Sequence, residues 1–82
     1  MTMAGQERRR IPWACRRGLL ELDLWLAPLA RGSAGLGADD SARCLALLAE
    51  SDRKLLAWLE GRAEAPREFR PLIEFIRKGC AA

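Results

Sequence analysis

The apolar residues of this chain recur mostly at the helical period. In the last third, Phe69, Leu72, Ile73 and Ile76 follow the i, i+3, i+4, i+7 rule, one face of an α-helix. Pro71 must fall in the first turn of that helix, so its start lies between Arg67 and Pro71. Arg77 and Lys78 suit its negative end, and Gly79 is expected to close it. The preceding helix has Leu55, Leu56, Trp58 and Leu59 inside, Asp52 as its cap and Gly61 as its C-terminal glycine. Before it, a helix starting at Asp39, Asp40 or Ser41 turns Ala42, Leu45, Leu48 and Ala49 to the core.

Residues 19–30 fit two periods. Leu20, Leu22, Leu24 and Leu26 alternate with Glu21, Asp23 and Trp25 as in a strand, while Leu19, Leu22, Trp25, Leu26 and Leu29 fit a helix. Leu and Ala favour the helix and no partner strand is visible, so a mostly buried helix is expected, kinked or stopped near Pro28. A short first helix is expected over Arg8–Arg17, with Pro12 in its first turn and Gly18 ending it or turning the chain. Gly32–Gly37 reads as a flexible connector and a candidate hinge. The expected fold is all-α, a single small five-helix bundle over residues 8–78, with a disordered N-terminus at 1–7 and a tail at 79–82.

Composition agrees. There are 82 residues, no Tyr, no Val, and only Thr2, Ile11, Ile73 and Ile76 are β-branched. A chain this short buries only about 60–65% of its unfolded surface, so the core is modest. The net charge of +3 is uneven: residues 1–18 carry +4 and the remainder −1. Such an end reads either as a solvated charged terminus or as a means of steering the chain to an acidic partner. Cys15, Cys44 and Cys80 match no zinc or redox spacing, and free core thiols are expected. No window approaches the length of a membrane span, and no apolar h-region follows the N-terminal arginines.

There is no histidine at all. The usual general base near neutral pH is therefore missing, and no Ser-His or Cys-His nucleophile can be assembled. Gly32-Ser33-Ala34-Gly35-Leu36-Gly37 follows no strand and precedes no Lys-Ser or Lys-Thr, so it is no phosphate loop. A free-standing enzyme is the least favoured class, and no metal site is expected.

The most informative run is Trp13-Ala14-Cys15-Arg16-Arg17-Gly18-Leu19-Leu20-Glu21-Leu22-Asp23. It contains an Arg-Gly-x-x-Glu core in which two opposite charges flank a residue without a side chain. With Leu47-Leu48-x-Glu50-x-Asp52-x-x-Leu55-x-x-Trp58-Leu59 it closely resembles the signatures of the FAD assembly factors of succinate dehydrogenase, in the same order and from about Ile11 to Ile76. Pro12 beside Trp13 and the glycine-rich connector depart from that pattern without touching the motif.

The resemblance implies a small five-helix protein that binds the flavoprotein subunit of succinate dehydrogenase, and in bacteria also fumarate reductase. It implies that the chain promotes covalent attachment of FAD to a histidine of that subunit. Arg17, Gly18 and Glu21 would form the contact, with Arg16, Asp23 and Trp13 as neighbours. No cofactor is expected to be held stably, since the FAD belongs to the client. A cytoplasmic bacterial monomer without membrane insertion or nucleic acid is expected, or a mitochondrial matrix protein if the source is eukaryotic.

Plainer readings stand beside these roles. Arg17 can hold a partner carboxylate with its fork, or pair with Glu21 one turn away for about 0.2–0.5 kcal/mol. Gly18 can simply terminate a helix, and Trp13 can pack the first helix on the second. Two other functions compete: a helical nucleic-acid binder using Arg8, Arg9, Arg10, Arg16 and Arg17, and an antitoxin-like regulatory partner.

Overall fold

The computed structural model describes residues 3–81. It contains five helices: α1 (Met3–Ala14), α2 (Leu20–Gly32), α3 (Ala38–Leu48), α4 (Asp52–Leu59) and α5 (Arg70–Ala81). Single 3₁₀ turns, Ser33–Gly35 and Arg67–Phe69, follow α2 and lead into α5. Among the described residues there is no strand, so the small all-α bundle holds and the ambiguous 19–30 segment is helical. α1 packs mainly on α3, and α2 on α5. The core they share includes Ile11, Leu22, Leu26, Leu29, Leu47, Leu55, Leu59 and Ile76.

α1 departs from expectation at its start. It begins at Met3, inside the segment expected to be disordered, and Pro12 therefore lies in its last turn. The proline removes a hydrogen bond to the Arg8 carbonyl, a loss that matters little where the helix is about to end. Ile11, fully buried, holds this end of α1 in the core.

Pro28 was expected to stop or kink α2, yet the helix continues to Gly32. A proline inside a helix costs about 3 kcal/mol, so packing must outweigh it. Leu26 and Leu29 are buried on either side of it. The Pro28 ring also lies against Gly79 of α5, so closely that a Cβ on Gly79 would sit 2.8 Å from the Pro28 Cβ. Gly79 thus does not close α5, which runs on to Ala81, but admits the proline of α2.

The glycine-rich connector is folded onto the bundle. Ser33 is buried, and its hydroxyl donates to the Ala30 carbonyl (2.9 Å) at the end of α2. Arg8 reaches over from α1 to donate to the Leu36 carbonyl (3.1 Å). In α3 the buried face is Ser41, Cys44, Leu47 and Leu48, whereas Ala42 and Ala49 are exposed. The buried face departs from the expected one because Ser41, which reads as a cap, turns inward beside Cys44, whose place in the core was expected.

α4 is capped by Ser51, whose Oγ accepts from the Lys54 amide (3.3 Å), not by Asp52. Asp52 takes the first helical position instead. The other end closes on Gly61 at φ +78°, with the Arg62 amide donating to Ala57 and the Gly61 amide to Trp58, a Schellman closure. Phe69, Ile73 and Ile76 of the last segment are buried as the spacing predicts, with Phe69 6.1 Å from Trp58 between ring centres.

Gly79→Ala gains about 1 kcal/mol of helix propensity but forces a methyl into the Pro28 ring, an overpacking that costs about 1–3 kcal/mol. The variant is expected to melt below the wild type in a thermal circular-dichroism scan. A higher Tm would show that α2 and α5 do not meet at this point.

Candidate functional site

The connection between α1 and α2, residues 15–19, carries the Arg-Gly-x-x-Glu core. Gly18 sits there at φ +79°, where an L side chain is strained, and nothing lies within 4 Å of where its Cβ would be. The turn is pinned from two directions. The Arg17 amide donates to Asp23 Oδ1 (2.8 Å) in the first turn of α2. The Arg17 side chain, only 16% exposed, reaches the other way into the bundle.

Its guanidinium is almost fully engaged. Nε donates to Asp52 Oδ1 (2.7 Å), Nη1 to the carbonyls of Ala14 (3.2 Å) and Leu48 (2.6 Å), and Nη2 to that of Glu50 (2.8 Å). Ala14 and Leu48 are the last residues of α1 and α3, so these carbonyls lack intrahelical donors and stand at negative helix ends. A planar fork fits this set of acceptors, where a lysine ammonium could not span them. The pairing of Arg17 with Glu21 is not formed; Asp52, freed by the Ser51 cap, takes that role.

With Arg17 turned inward, the rest of the motif faces out. Gly18 and Glu21 are exposed. Asp23, half-buried, supports the turn and is not presented on it. Trp13 is 72% exposed and does not pack α1 on α2; the Arg16 guanidinium lies over its ring, 5.2 Å from the centre. Leu20 (73%) and Leu24 (62%), one turn apart on α2, are also exposed. They are leucines of 19–30 that fall off the expected helical stripe, whereas Leu19, expected on it, precedes α2 and is exposed as well.

Glu21 has an unanticipated neighbour. It lies beside Glu60 at the end of α4, whose carboxylate is held by Arg62 (Nη2–Oε1 2.7 Å). The hydrogen bond to Glu60 and the charge of Glu60 push the Glu21 pKa above the ordinary glutamate value, and Arg62 opposes this only in part. An exposed carboxylate pair with one attendant cation is a natural place for a second cation, such as a partner arginine or lysine.

Other candidates are absorbed into the fold. Cys15 and Cys44 are buried thiols whose pKa values desolvation pushes up to about 11, which makes them poor nucleophiles. The side chain of Cys80 lies outside the described residues. No group of three or more His, Cys, Asp or Glu among the described residues could hold a metal ion. No helix among them is long and apolar enough to cross a membrane. Arg8 and Arg17 donate within the molecule, which breaks up the basic stripe a nucleic-acid interface would need.

Comparison with known proteins gives the family of the chain. The chain matches the family described as flavinator of succinate dehydrogenase over residues 9–80. It is 36% identical over 76 residues to the FAD assembly factor SdhE of Legionella pneumophila (strain Paris), covering 92% of this chain and 96% of that one. It is 41% identical over 73 residues to the FAD assembly factor SdhE of Photorhabdus laumondii, covering 85% and 82%. Against the protein of that name from Pseudomonas aeruginosa it is 41% identical over 59 residues, 71% of this chain and 70% of the other. No solved structure gives a significant match. With its motif intact and its length covered almost end to end, the chain belongs to the succinate dehydrogenase flavinator family.

Proposed function

We propose that this chain is an assembly chaperone that binds the flavoprotein subunit of succinate dehydrogenase and promotes covalent attachment of FAD to it. The observation that carries this reading is the turn pinned by Arg17 and Asp23, which presents Gly18 and Glu21 to the outside on a rigid base. A bacterial fumarate reductase subunit, built for the same flavin, is a second client. The factor acts as a cytoplasmic monomer.

The division of chemistry follows from the residues. The methyl carbon of FAD would become electrophilic on losing a proton, the flavin ring would keep the electron pair as the new carbon–nitrogen bond forms, and the attacking histidine nitrogen must be the client's, because this chain has no histidine. What this chain adds is a surface that binds one conformer of the client better than the others. Holding two reacting atoms in attack geometry can contribute roughly 7–11 kcal/mol at the extreme. In this scheme Gly18 allows close approach, Glu21 takes a client cation, and Trp13 with Arg16 offers an aromatic and cationic edge. Arg17 and Asp23 are positioning residues that keep the turn in place.

Arg17→Ala should therefore act on stability before it acts on binding. It strands three carbonyls and the Asp52 carboxylate, a loss of about 3 kcal/mol that lowers Tm by roughly 12–24 °C. Thermal unfolding checks this, and an unchanged Tm would remove Arg17 from its structural post.

Gly18→Arg costs about 1–2 kcal/mol of backbone strain, leaves the helical circular-dichroism spectrum intact and abolishes co-purification of the flavoprotein subunit. Glu21→Ala leaves the fold intact and lowers covalent flavin, read as in-gel fluorescence of the client. Wild-type fluorescence in a strain whose only copy carries either variant would contradict the proposed role.

A further expectation concerns pH. A client cation favours the ionised Glu21, so binding is full above the Glu21 pKa and is lost as pH falls through it. Because that pKa is raised, the loss begins at a higher pH than for an ordinary glutamate. Glu60→Gln removes the main cause and should move the loss to lower pH in calorimetric titrations. An identical pH profile for both proteins would show that the pair does not meet a cation.

A further inference from the structure

The outer face of α2 carries Glu21, Leu24, Pro28 and Arg31 in one line at i, i+3, i+7 and i+10. Across from it stands Gly79 in α5, and with Ala27 these residues line an open groove of about 520 Å³. Gly79 and Pro28, which meet where α2 and α5 pack, both line it. It is continuous with the proposed client surface, since Glu21 belongs to both. Leu24 is exposed along it and Leu20 one turn before it, a concentration of apolar surface that marks interaction sites.

The groove is electrically polar. Glu21, beside Glu60, forms the negative end. Arg31, which forms no ion pair among the described residues, stands at the positive end, about 15 Å along the helix. We propose that the groove seats a protruding apolar segment of the flavoprotein client, with a basic side chain at Glu21 and an acidic one at Arg31. This rests on the function proposed above and extends it from a point contact at Gly18 to a directional track. A second copy of this chain would also match the charges if turned end for end, but it would set one concavity against another and leave both unfilled.

The test uses the full chain and the purified flavoprotein subunit lacking covalent flavin. Affinities are measured by calorimetry for the wild type, Leu24→Gln, Arg31→Glu, Arg31→Lys, Gly18→Arg and Glu21→Gln, each checked for helical content. Leu24→Gln is expected to weaken binding at least tenfold and Arg31→Glu at least threefold, with Arg31→Lys near wild type. If Gly18→Arg and Glu21→Gln weaken binding while Leu24→Gln and Arg31→Glu bind like the wild type, the groove is overturned and the proposed function stands. If the wild-type chain does not bind the subunit, both are overturned. Sedimentation showing a dimer that Leu24→Gln dissociates, with client affinity unchanged, would assign the groove to a second copy and overturn the inference.

Discussion

Arg17 holds this molecule in register. A single guanidinium ties the last carbonyls of α1 and α3, the carbonyl of Glu50 between α3 and α4, and the first carboxylate of α4. Carbonyls at helix ends have no donors of their own. In a chain with so modest a core, leaving several of them dry beside Leu48 and Cys15 would be costly. The ion pair with Asp52 is not in itself a strong source of stability, because desolvation offsets much of its Coulomb energy. What the fork supplies is geometry: two stretches distant in sequence, the end of α1 and residues 48–52, meet at one planar group, and the turn that carries Gly18 hangs from the same residue.

The fold was legible wherever apolar spacing and a terminator agreed. Phe69, Ile73 and Ile76 define α5, and Gly61 ends α4 at the positive φ that only glycine takes without strain. It was less legible where a residue serves a neighbour and not its own helix. Pro28 and Gly79 read as two helix breakers, yet each sits inside a helix because it fits against the other. Ser41 reads as a cap, yet it is fully buried and faces inward beside Cys44.

The motif divides in the same way. Gly18 and Glu21 could be read as outward-facing because their nearest constraints are local. The direction of Arg17 could not, since its side-chain acceptors in α3, the α3–α4 loop and α4 lie 31, 33 and 35 residues away. Two of those are backbone carbonyls, which carry no residue-type signature. The Glu21–Glu60 pair was hidden for a similar reason: it joins the start of α2 to the end of α4, and no pattern along the chain connects them.

That pair also bears on how such a factor can release its client. Folding alone gives no reason to set two exposed carboxylates side by side with one arginine, Arg62, paired to Glu60. A partner cation relieves the repulsion, so the contact favours a bound client over a free surface and discriminates against an uncharged or acidic one. Being exposed, it is screened by salt and never approaches the strength of a buried ion pair. The inward arginine is internally satisfied, while in the proposed function the outward carboxylates are completed by the client. A helper that positions a reaction and then departs needs both: a base that does not yield, and a grip that does.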